Sequence, residues 1–231
     1  MKVAISQSNY IPWKGYFDMI NCVDIFVVFD EVQFTRRDWR NRNKIKSPNG
    51  TNWLTIPVES KGKYYQKISE TLVSDHSWAQ KHWQSISNFY RKAKYFKKYS
   101  SQLRDTYEKA STENHLSKIN MLFIEMINDI LGIGTEIRQS SEFELVNDQT
   151  GRLLNICKDL NADYYLSGPA AKGYLDVNQF SDEKIKVDWM EYSSYPEYSQ
   201  LFGQFEHAVS ILDMIFNIGP ETPKYMKSFQ K

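Results

Sequence analysis

The chain has 231 residues and a formal net charge of +1, from 29 basic and 28 acidic side chains. A charge so near balance argues against the broadly basic surface of a nucleic-acid-binding protein, and no stable nucleic-acid complex is expected. Hydrophobic residues make up 41% and charged residues 25%, as in globular proteins with a large core. No apolar run reaches the length of a membrane span and no signal-peptide pattern is visible. We therefore predict a cytoplasmic protein without membrane insertion.

The two cysteines, Cys22 and Cys157, lie in apolar surroundings that are typical of buried, reduced thiols. The sequence contains no C-x-x-C motif and no cluster of histidines. We therefore expect no structural zinc site and assign no metal ligand.

The first third of the chain predicts strands. Short apolar runs at 2–6 and 24–29 are typical of buried strands. A third strand is predicted at 52–58 and a weaker one at 66–73. The short connection between these last two, with Lys61-Gly62-Lys63 at its centre, predicts a hairpin.

The middle of the chain predicts helices. Apolar residues recur at helical spacing over 78–90, about 95–110 and 116–131, the last stretch ending at Gly132. We interpret residues 75–131 as a helical subdomain within one α/β domain that spans 1–231.

The last third alternates helices with strands. A weak strand at 136–140 precedes a helix at 150–160, and strands follow at 163–167 and 184–190. A final helix is predicted at 202–217. Such alternation indicates parallel strand pairing. The predicted fold class is α/β, with a mainly parallel central sheet and a helical insertion in the middle of the chain.

Polar and aromatic residues follow the first strand in the segment QSNYIPWKGYF, residues 7–17. We expect Pro12 to open a helix and Gly15 to permit a close approach of the backbone. A helix that starts directly after a strand can hold an anion. Gln7 and Tyr10 are candidate ligand contacts. Trp13 is a third candidate, although core packing is the simpler explanation for its ring.

The second predicted strand ends in a carboxylate and an amide, Asp30 and Gln33. Asp30 could hold a ribose hydroxyl, a divalent cation, or a nearby arginine in a salt bridge. We prefer Asp30 to Glu31, because adjacent strand residues point to opposite faces. Asp30 is also a candidate catalytic residue, and Gln33 is a candidate substrate-binding residue.

Residues 35–46 form a basic segment with six Lys or Arg and one Asp, a local charge of +5, which leaves −4 for the rest of the chain. Basic side chains around Trp39 suit a phosphate or pyrophosphate beside a stacked base or sugar ring. The alternative is a solvated surface loop. The candidate substrate-binding residues of this segment are Arg40, Asn41, Arg42 and Lys44.

A second strand end, at Ser167, leads into a turn of small residues. Ser167 lacks the G-x-S-x-G context of a nucleophile and is better explained as a turn residue that contacts substrate. Lys172, a candidate catalytic residue, and Asp176 are four residues apart and could share a helical face. Tyr174 and Asp176 are candidate substrate contacts. We expect this turn to face residues 7–15 across one site.

His82, on the first central helix, is the candidate general base among the four histidines. A base must lie within hydrogen-bond reach of its proton, which a sequence cannot show. A lone histidine on a helix is more often structural.

The patterns Q-x-N-Y-x-P-W-x-G-Y-F, D-E-V-Q-F, W-R-N-R-N-K-I and W-L-T-I-P-V together resemble the opening of the WbqC-like family. The resemblance continues through 78–83, 165–169, 174–176 and 210–213. Many members begin with a His-Gln-Pro-type triplet, whereas this chain has Ser6-Gln7-Ser8, so no histidine is available at position 6. Members of the family are often encoded among genes for O-antigen or other surface-polysaccharide sugars, and the resemblance implies a role in that pathway.

The resemblance and the polar strand ends together suggest an enzyme that acts on a nucleotide-activated amino sugar, with acyl or aminoacyl transfer as the first reaction to test. The expected partners are a nucleotide-linked sugar and an acyl or aminoacyl carrier; no residue identifies the acyl donor. One alternative is a nucleotide-binding enzyme that activates its substrate by adenylylation. Another is a non-catalytic partner of a polysaccharide enzyme, which an exposed apolar stripe on helix 116–131 would mark.

Overall fold

The computed structural model describes residues 1–146 and 148–230; Asn147 and Lys231 lie outside the described residues. Within the described residues the strands, in chain order, are β1 (Lys2–Ser6), β2 (Ile25–Val28), β3 (Arg42–Ser47), β4 (Gly50–Thr55), β5 (Glu136–Gln139), β6 (Tyr164–Ser167) and β7 (Lys186–Trp189). The α-helices are α1 (Lys14–Asn21), α2 (Trp78–Tyr90), α3 (Phe96–Ala110), α4 (Leu116–Leu131), α5 (Gln149–Asp159), α6 (Val177–Asp182) and α7 (Ile211–Ile218).

The central sheet of the described residues has the order β5-β2-β1-β6-β7, and each neighbouring pair is parallel. The α/β class and the mainly parallel sheet predicted from the sequence are confirmed. So are the three central helices, and Gly132 ends α4 in the left-handed region, with φ of 70°. Among the described helices, none has the length and apolarity that crossing a membrane requires.

Successive strand residues point into different cores, as the pleat requires. Ala4 and Phe26 pack with α1, α2, α3, α4 and α7 on one face of the sheet. Val3, Val27 and Tyr165 pack with α5 and α6 on the other. Both faces of the sheet are therefore covered, which explains why its central strands read as almost continuous apolar runs.

The strand order reverses at β1. The chain passes from β1 through α1 to β2 on one side, and later returns through α5 to β6 on the other side of β1. The carboxyl ends of β1 and β6 therefore border the position at which open α/β sheets bind ligands.

The predicted hairpin between 52–58 and 66–73 is wrong. β4 instead pairs with β3, in a register that joins Ser47 to Gly50, whose φ of 109° suits the tight turn. The segments at 52–58 and 66–73 pair at an isolated antiparallel bridge between Val58 and Val73 and form no ladder in the described part of the chain. Strand β3 was not predicted because its sequence is rich in basic residues. Its side chains nevertheless alternate along the first part of the strand, with Asn43 and Ile45 buried.

The predicted final helix at 202–217 is too long. Helix α7 begins at Ile211, because the Ser210 hydroxyl caps the backbone N–H of Leu212 at 3.3 Å. Pro12 does not open a helix either. Trp13 is the N-cap of α1, and the Pro12 carbonyl instead accepts a hydrogen bond of 2.9 Å from the Ile211 backbone N–H.

Lys172 and Asp176 do not share a helical face. A short 3-10 helix, Pro169–Gly173, ends between them, and Asp176 is the N-cap of α6. The two residues therefore do not belong to one helix, and a spacing of four residues does not place them on a common face.

Candidate functional site

The reversal of strand order creates a cavity of about 440 Å³, here called the switch-point cavity. Its lining includes polar side chains from the ends of β1 and β6, from α5 and from the turn after β6: Ser6, Gln7, Ser167, Gln149, Arg152 and Tyr174. Gln7, Ser167 and Tyr174 were predicted site residues, and all three line this cavity, because β1 and β6 are parallel neighbours whose carboxyl ends lie at one edge of the sheet. Gln149 was not predicted, because it lies far from these strand ends in the sequence and no motif around it indicates a binding site.

The backbone of this cavity is held by hydrogen bonds. The Tyr16 hydroxyl donates to the Gln7 carbonyl at 3.0 Å, and the Phe29 N–H donates to the Ser6 carbonyl at 2.9 Å. On the other strand, the Met190 N–H donates to the Ser167 carbonyl at 2.8 Å. The side chain of Gln7 is thus presented from a fixed backbone, which is a favourable arrangement for binding.

A second cavity of about 320 Å³, here called the tryptophan cavity, lies beside the loop after β1. Its lining consists of Asn9, Pro12, Trp13, Trp39, Asn43 and Ala208. All but Ala208 belong to the Q-x-N-Y-x-P-W and W-R-N-R-N patterns of the sequence. The Tyr10 N–H donates to the Trp39 carbonyl at 3.0 Å and so joins the two segments.

Trp13 owes its position to a glycine. A Cβ atom on Gly15 would overlap the six-membered ring of the Trp13 indole. The close approach expected at Gly15 exists, but it is made by this neighbouring side chain. Gly15 therefore shapes the wall of the tryptophan cavity from within α1.

Positive side chains surround an aromatic pair next to this cavity. The rings of Trp39 and Trp53 lie 5.5 Å apart, and both are about two-fifths exposed. The Arg42 guanidinium lies 4.0 Å from the Trp53 ring and the Lys44 ammonium 5.1 Å from it, a geometry of cation–π contacts. Arg42 and Lys44 share one face of β3, so the strand aims both charges along this aromatic surface.

Arg40 lies next to the tryptophan cavity, where Asn9 forms part of the lining. The Arg40 guanidinium donates to the Asn9 side-chain oxygen, and its other terminal nitrogen lies 3.7 Å from Asp38. Gln7 of the switch-point cavity and Asn9 of the tryptophan cavity are two residues apart, about 7 Å at most along the chain. The two cavities are therefore lined by neighbouring residues of the loop after β1.

Several predicted residues lie elsewhere. Asp30 is buried and accepts hydrogen bonds from the Ser8 N–H at 2.8 Å and the Ser117 hydroxyl at 2.6 Å. Burial raises its pKa, and these hydrogen bonds oppose the rise. Asp30 borders a separate cavity with Ser117 and Gln139, so it does not share a site with Gln7.

Gln33 and Asn41 hold the backbone in place. The Gln33 amide donates to the Tyr64 carbonyl at 2.8 Å, and the Asn41 amide donates to the Ile56 carbonyl at the same distance. Neither side chain lines the two cavities. A six-residue cleft of Gln7, Asp30, Gln33, Arg40, Arg42 and Lys44 is therefore not formed.

His82 and Tyr10 lie in the core. The Tyr10 hydroxyl is 2.9 Å from His82 Nδ1 and 2.6 Å from the Tyr107 hydroxyl. Burial lowers the pKa of His82 to about 4, so its ring is neutral at ordinary pH. The structure places His82 away from both cavities, as a core residue.

Lys172 and Asp176 also stand apart from the switch-point cavity. The Lys172 ammonium lies 5.5 Å from the Trp189 ring. The Asp176 carboxylate accepts a hydrogen bond of 3.0 Å from the Asn178 N–H at the start of α6. Gly168, Ala170, Ala171 and Tyr174 of this turn line the cavity, whereas Lys172 and Asp176 do not.

Sequence reasoning missed Lys14. Its side chain is buried among the rings of Tyr195, Tyr198 and Phe205, and its ammonium lies 3.0 Å from His207 Nδ1. Burial lowers the pKa of Lys14 to about 8, although Asp213 and Asp18 oppose the change. Lys14 follows Trp13, and His207 precedes Ala208, so the pair adjoins the tryptophan cavity. The sequence did offer one indication of a special role for Lys14, because it is the one charged residue within the aromatic segment 7–17.

Among the described residues, no group of three or more His, Cys, Asp or Glu side chains is placed to hold a metal ion.

The fold defines a doubly wound α/β protein with a cavity at its topological switch point. The chain belongs to the WbqC-like protein family, whose sequence profile matches residues 7–225. It is 45% identical over 226 residues to a protein of Mycobacterium tuberculosis (strain ATCC 25618 / H37Rv) described as uncharacterized protein Rv1507c. The alignment covers 98% of this chain and 97% of that relative. No solved structure matches the chain.

Proposed function

We propose that the protein binds a nucleotide-activated amino sugar and transfers an acyl or aminoacyl group to it during surface-polysaccharide assembly. The observation that carries this proposal is a pair of cavities lined by neighbouring residues of one loop, a polar cavity that includes Gln7 and an aromatic cavity that includes Asn9, with Arg40 hydrogen-bonded to Asn9. An elongated ligand with a planar ring at one end and hydroxyl groups at the other matches that pair.

The nucleotide would occupy the tryptophan cavity. Its base would pack between Trp13 and Trp39, since indole rings offer large flat faces. Its diphosphate would lie at the rim, where Arg40 and Arg42 supply charged donors. Lys44 adds a further positive charge along the same strand.

The sugar would occupy the switch-point cavity. Gln7 and Ser167 offer both donors and acceptors to sugar hydroxyls, and Tyr174 offers a ring face with a polar tip. Such mixed lining is typical of sites that fix the orientation of a polar substrate.

The reaction would join two substrates. The amine of the sugar would attack the carbonyl carbon of an acyl or aminoacyl group, an amide bond would form, and the carrier would leave. An activated acyl or aminoacyl carrier is therefore the second substrate of the proposal.

The non-catalytic alternative has little support. Of the apolar side chains on α4, Leu116, Ile119 and Phe123 are buried, and Met121 and Leu122 are half-buried. An exposed apolar stripe on this helix was the expected mark of a docking partner.

A thermal-shift panel tests the proposal. Nucleotides, nucleotide sugars and ATP with Mg²⁺ would be compared on the intact chain. A ligand at a hundredfold excess over its dissociation constant adds about 2.7 kcal/mol of stability. Stabilisation by nucleotide sugars beyond that by the matching nucleotides is expected. Stabilisation by ATP alone would favour adenylylation, and no stabilisation by any of them would contradict the proposal.

Acyl transfer itself would be tested by mass spectrometry. The best-binding amino-sugar nucleotide would be incubated with thioester and aminoacyl donors, and the sugar would be examined for the added acyl mass. A variant with Trp39→Ala should lose both binding and product. Binding without any transfer would leave a nucleotide-sugar-binding protein and remove the transferase part of the proposal.

A further inference from the structure

A loop between β4 and α2, residues 59–67 and here called the tyrosine loop, exposes two adjacent aromatic rings. Tyr64 is 73% exposed and Tyr65 is 85% exposed, the highest values among the exposed large hydrophobic residues of the described chain. Their ring centres are 5.0 Å apart with the planes at 88°. Paired aromatic rings in water are a typical sign of an interaction surface.

The exposure of these rings belongs to a defined loop conformation. The Gln33 side chain donates to the Tyr64 carbonyl at 2.8 Å, and the Phe34 N–H donates to the Gln66 carbonyl at 2.9 Å. The Gln66 amide closes the loop by donating to the Glu59 carbonyl at 2.8 Å. Gly62 makes the turn with φ of 75°. The loop therefore presents the rings without first having to fold.

The loop lies against the basic segment. The Arg36 guanidinium donates to the Ser60 carbonyl, which joins residues 35–46 to the tyrosine loop. Arg36 and Arg37 of that segment are exposed, and the loop adds the exposed Lys61 and Lys63. The Lys63 ammonium lies 2.5 Å from the Glu59 carboxylate, which offsets its charge. Lys61 is therefore the better loop residue with which to test attraction to an anionic partner. Positive charge and exposed rings thus occur together.

We propose that the tyrosine loop docks the protein reversibly on an anionic lipid surface, with Tyr64 and Tyr65 at the level of the headgroups. Tyrosine suits this position because its ring is apolar and its hydroxyl remains hydrated. Basic residues beside the rings add electrostatic attraction to anionic lipids. The attachment is peripheral and does not depend on the nucleotide-sugar proposal.

The geometry favours a lipid surface over a peptide or a single-stranded nucleic acid. A ring that is more than 70% exposed is not enclosed by a groove of the kind that binds helical or proline-rich peptides. Two rings at 88° do not present parallel faces on which successive bases could stack.

The test is co-sedimentation of the full chain with vesicles of phosphatidylcholine, either alone or mixed with phosphatidylglycerol. Binding is expected only to the mixed vesicles and is expected to weaken with salt. The double variant Tyr64→Ser/Tyr65→Ser should lose most of the binding. Lys61→Gln should weaken it by about fivefold, the effect of one basic residue near a charged membrane.

Tyr164→Ser is the matched control. Tyr164 is 40% exposed and lies 5.6 Å from the Lys186 ammonium, but it stands at the start of β6, away from the tyrosine loop. This variant should bind mixed vesicles like the unaltered protein. Equal loss in both tyrosine variants, or no binding to mixed vesicles, would overturn the proposal.

A nucleotide-sugar thermal shift on the double variant separates this proposal from the proposed function. That shift should be unchanged, because neither tyrosine lines either cavity. A gel-shift assay with single-stranded RNA tests whether the loop binds nucleic acid instead of lipid. RNA binding that is lost with the two tyrosines, without vesicle binding, would assign the loop to nucleic acid and overturn lipid docking.

Discussion

The Tyr10 hydroxyl lies 2.9 Å from His82 Nδ1 in the interior of the protein. Two residues that the sequence offered as site candidates are therefore partners of each other. Trp78 and Phe123 meet the Tyr10 ring edge to face, with ring centres 5.8 and 5.4 Å away. This contact joins the loop after β1 to α2 and α4, and so fixes the loop from which Asn9 and Trp13 reach the tryptophan cavity.

His82 should make stability depend on pH. Its folded pKa of about 4 lies below the ordinary 6.5, so the unfolded chain binds an additional proton between these values. Stability is then full above pH 6.5 and falls as the pH drops towards 4, by up to about 3 kcal/mol. Urea unfolding of the protein and of His82→Gln should show this loss in the former only. Parallel pH profiles would contradict a buried, neutral His82.

Arg42→Ala should weaken nucleotide-sugar binding by roughly tenfold to a hundredfold, because charge-assisted hydrogen bonds to phosphate contribute about 1.5–3 kcal/mol. Titration calorimetry measures the change. Arg104→Ala is the control, since Arg104 forms an exposed pair with Glu108 on α3 at 2.9 Å. Equal affinities for Arg42→Ala and the unaltered protein would make Arg42 a solvated surface residue.

Gly15→Ala should impair the tryptophan cavity. Glycine to alanine within a helix ordinarily adds stability. Here the new methyl group would overlap the Trp13 ring, and we expect a loss of about 1–3 kcal/mol together with weaker nucleotide binding. Gly134→Ala, where a Cβ atom would meet nothing within 4 Å, serves as the control. Thermal unfolding and Trp fluorescence report the two effects. A stabilised Gly15→Ala variant with unchanged binding would contradict this role.

Gln7 and Ser167 should act on one part of the ligand. A double-mutant cycle of Gln7→Ala and Ser167→Ala is expected to be non-additive in nucleotide-sugar affinity, because both residues line the switch-point cavity. The cycle of Gln7→Ala with Lys172→Ala should be additive to within about 0.5 kcal/mol, since Lys172 lies against Trp189. Additivity in the first cycle would contradict a shared contact.

Lys14 should titrate well below the other lysines. Its pKa of about 8 lies below the ordinary 10.5, so the unfolded chain binds the extra proton between these values. The stability of the protein relative to Lys14→Met should therefore rise as the pH increases from 8 to 10.5. NMR of the lysine side-chain carbons measures the titration directly. A Lys14 resonance that moves with the exposed lysines would contradict its burial in the aromatic cage.

The sequence by itself determined the α/β class, the parallel sheet, the central helices and the family. These follow from local periodicity, which depends on the alternation of core and solvent along one element. It also located polar residues after β1 and β6. Parallel strands bring such ends to one edge, so Gln7, Ser167 and Tyr174 could be expected to converge.

Only the tertiary structure decided which side chains of those segments reach a cavity. Ile11, with φ of 36°, lies where the loop turns, and its neighbour Tyr10 enters the core while Asn9 faces the tryptophan cavity. His82 is neutral and Lys14 has a lowered pKa because distant elements exclude water from them. The pairing of β3 with β4 depended likewise on a partner strand that periodicity did not identify. Burial and pairing are properties of the neighbours in space, and one stretch of sequence does not contain them.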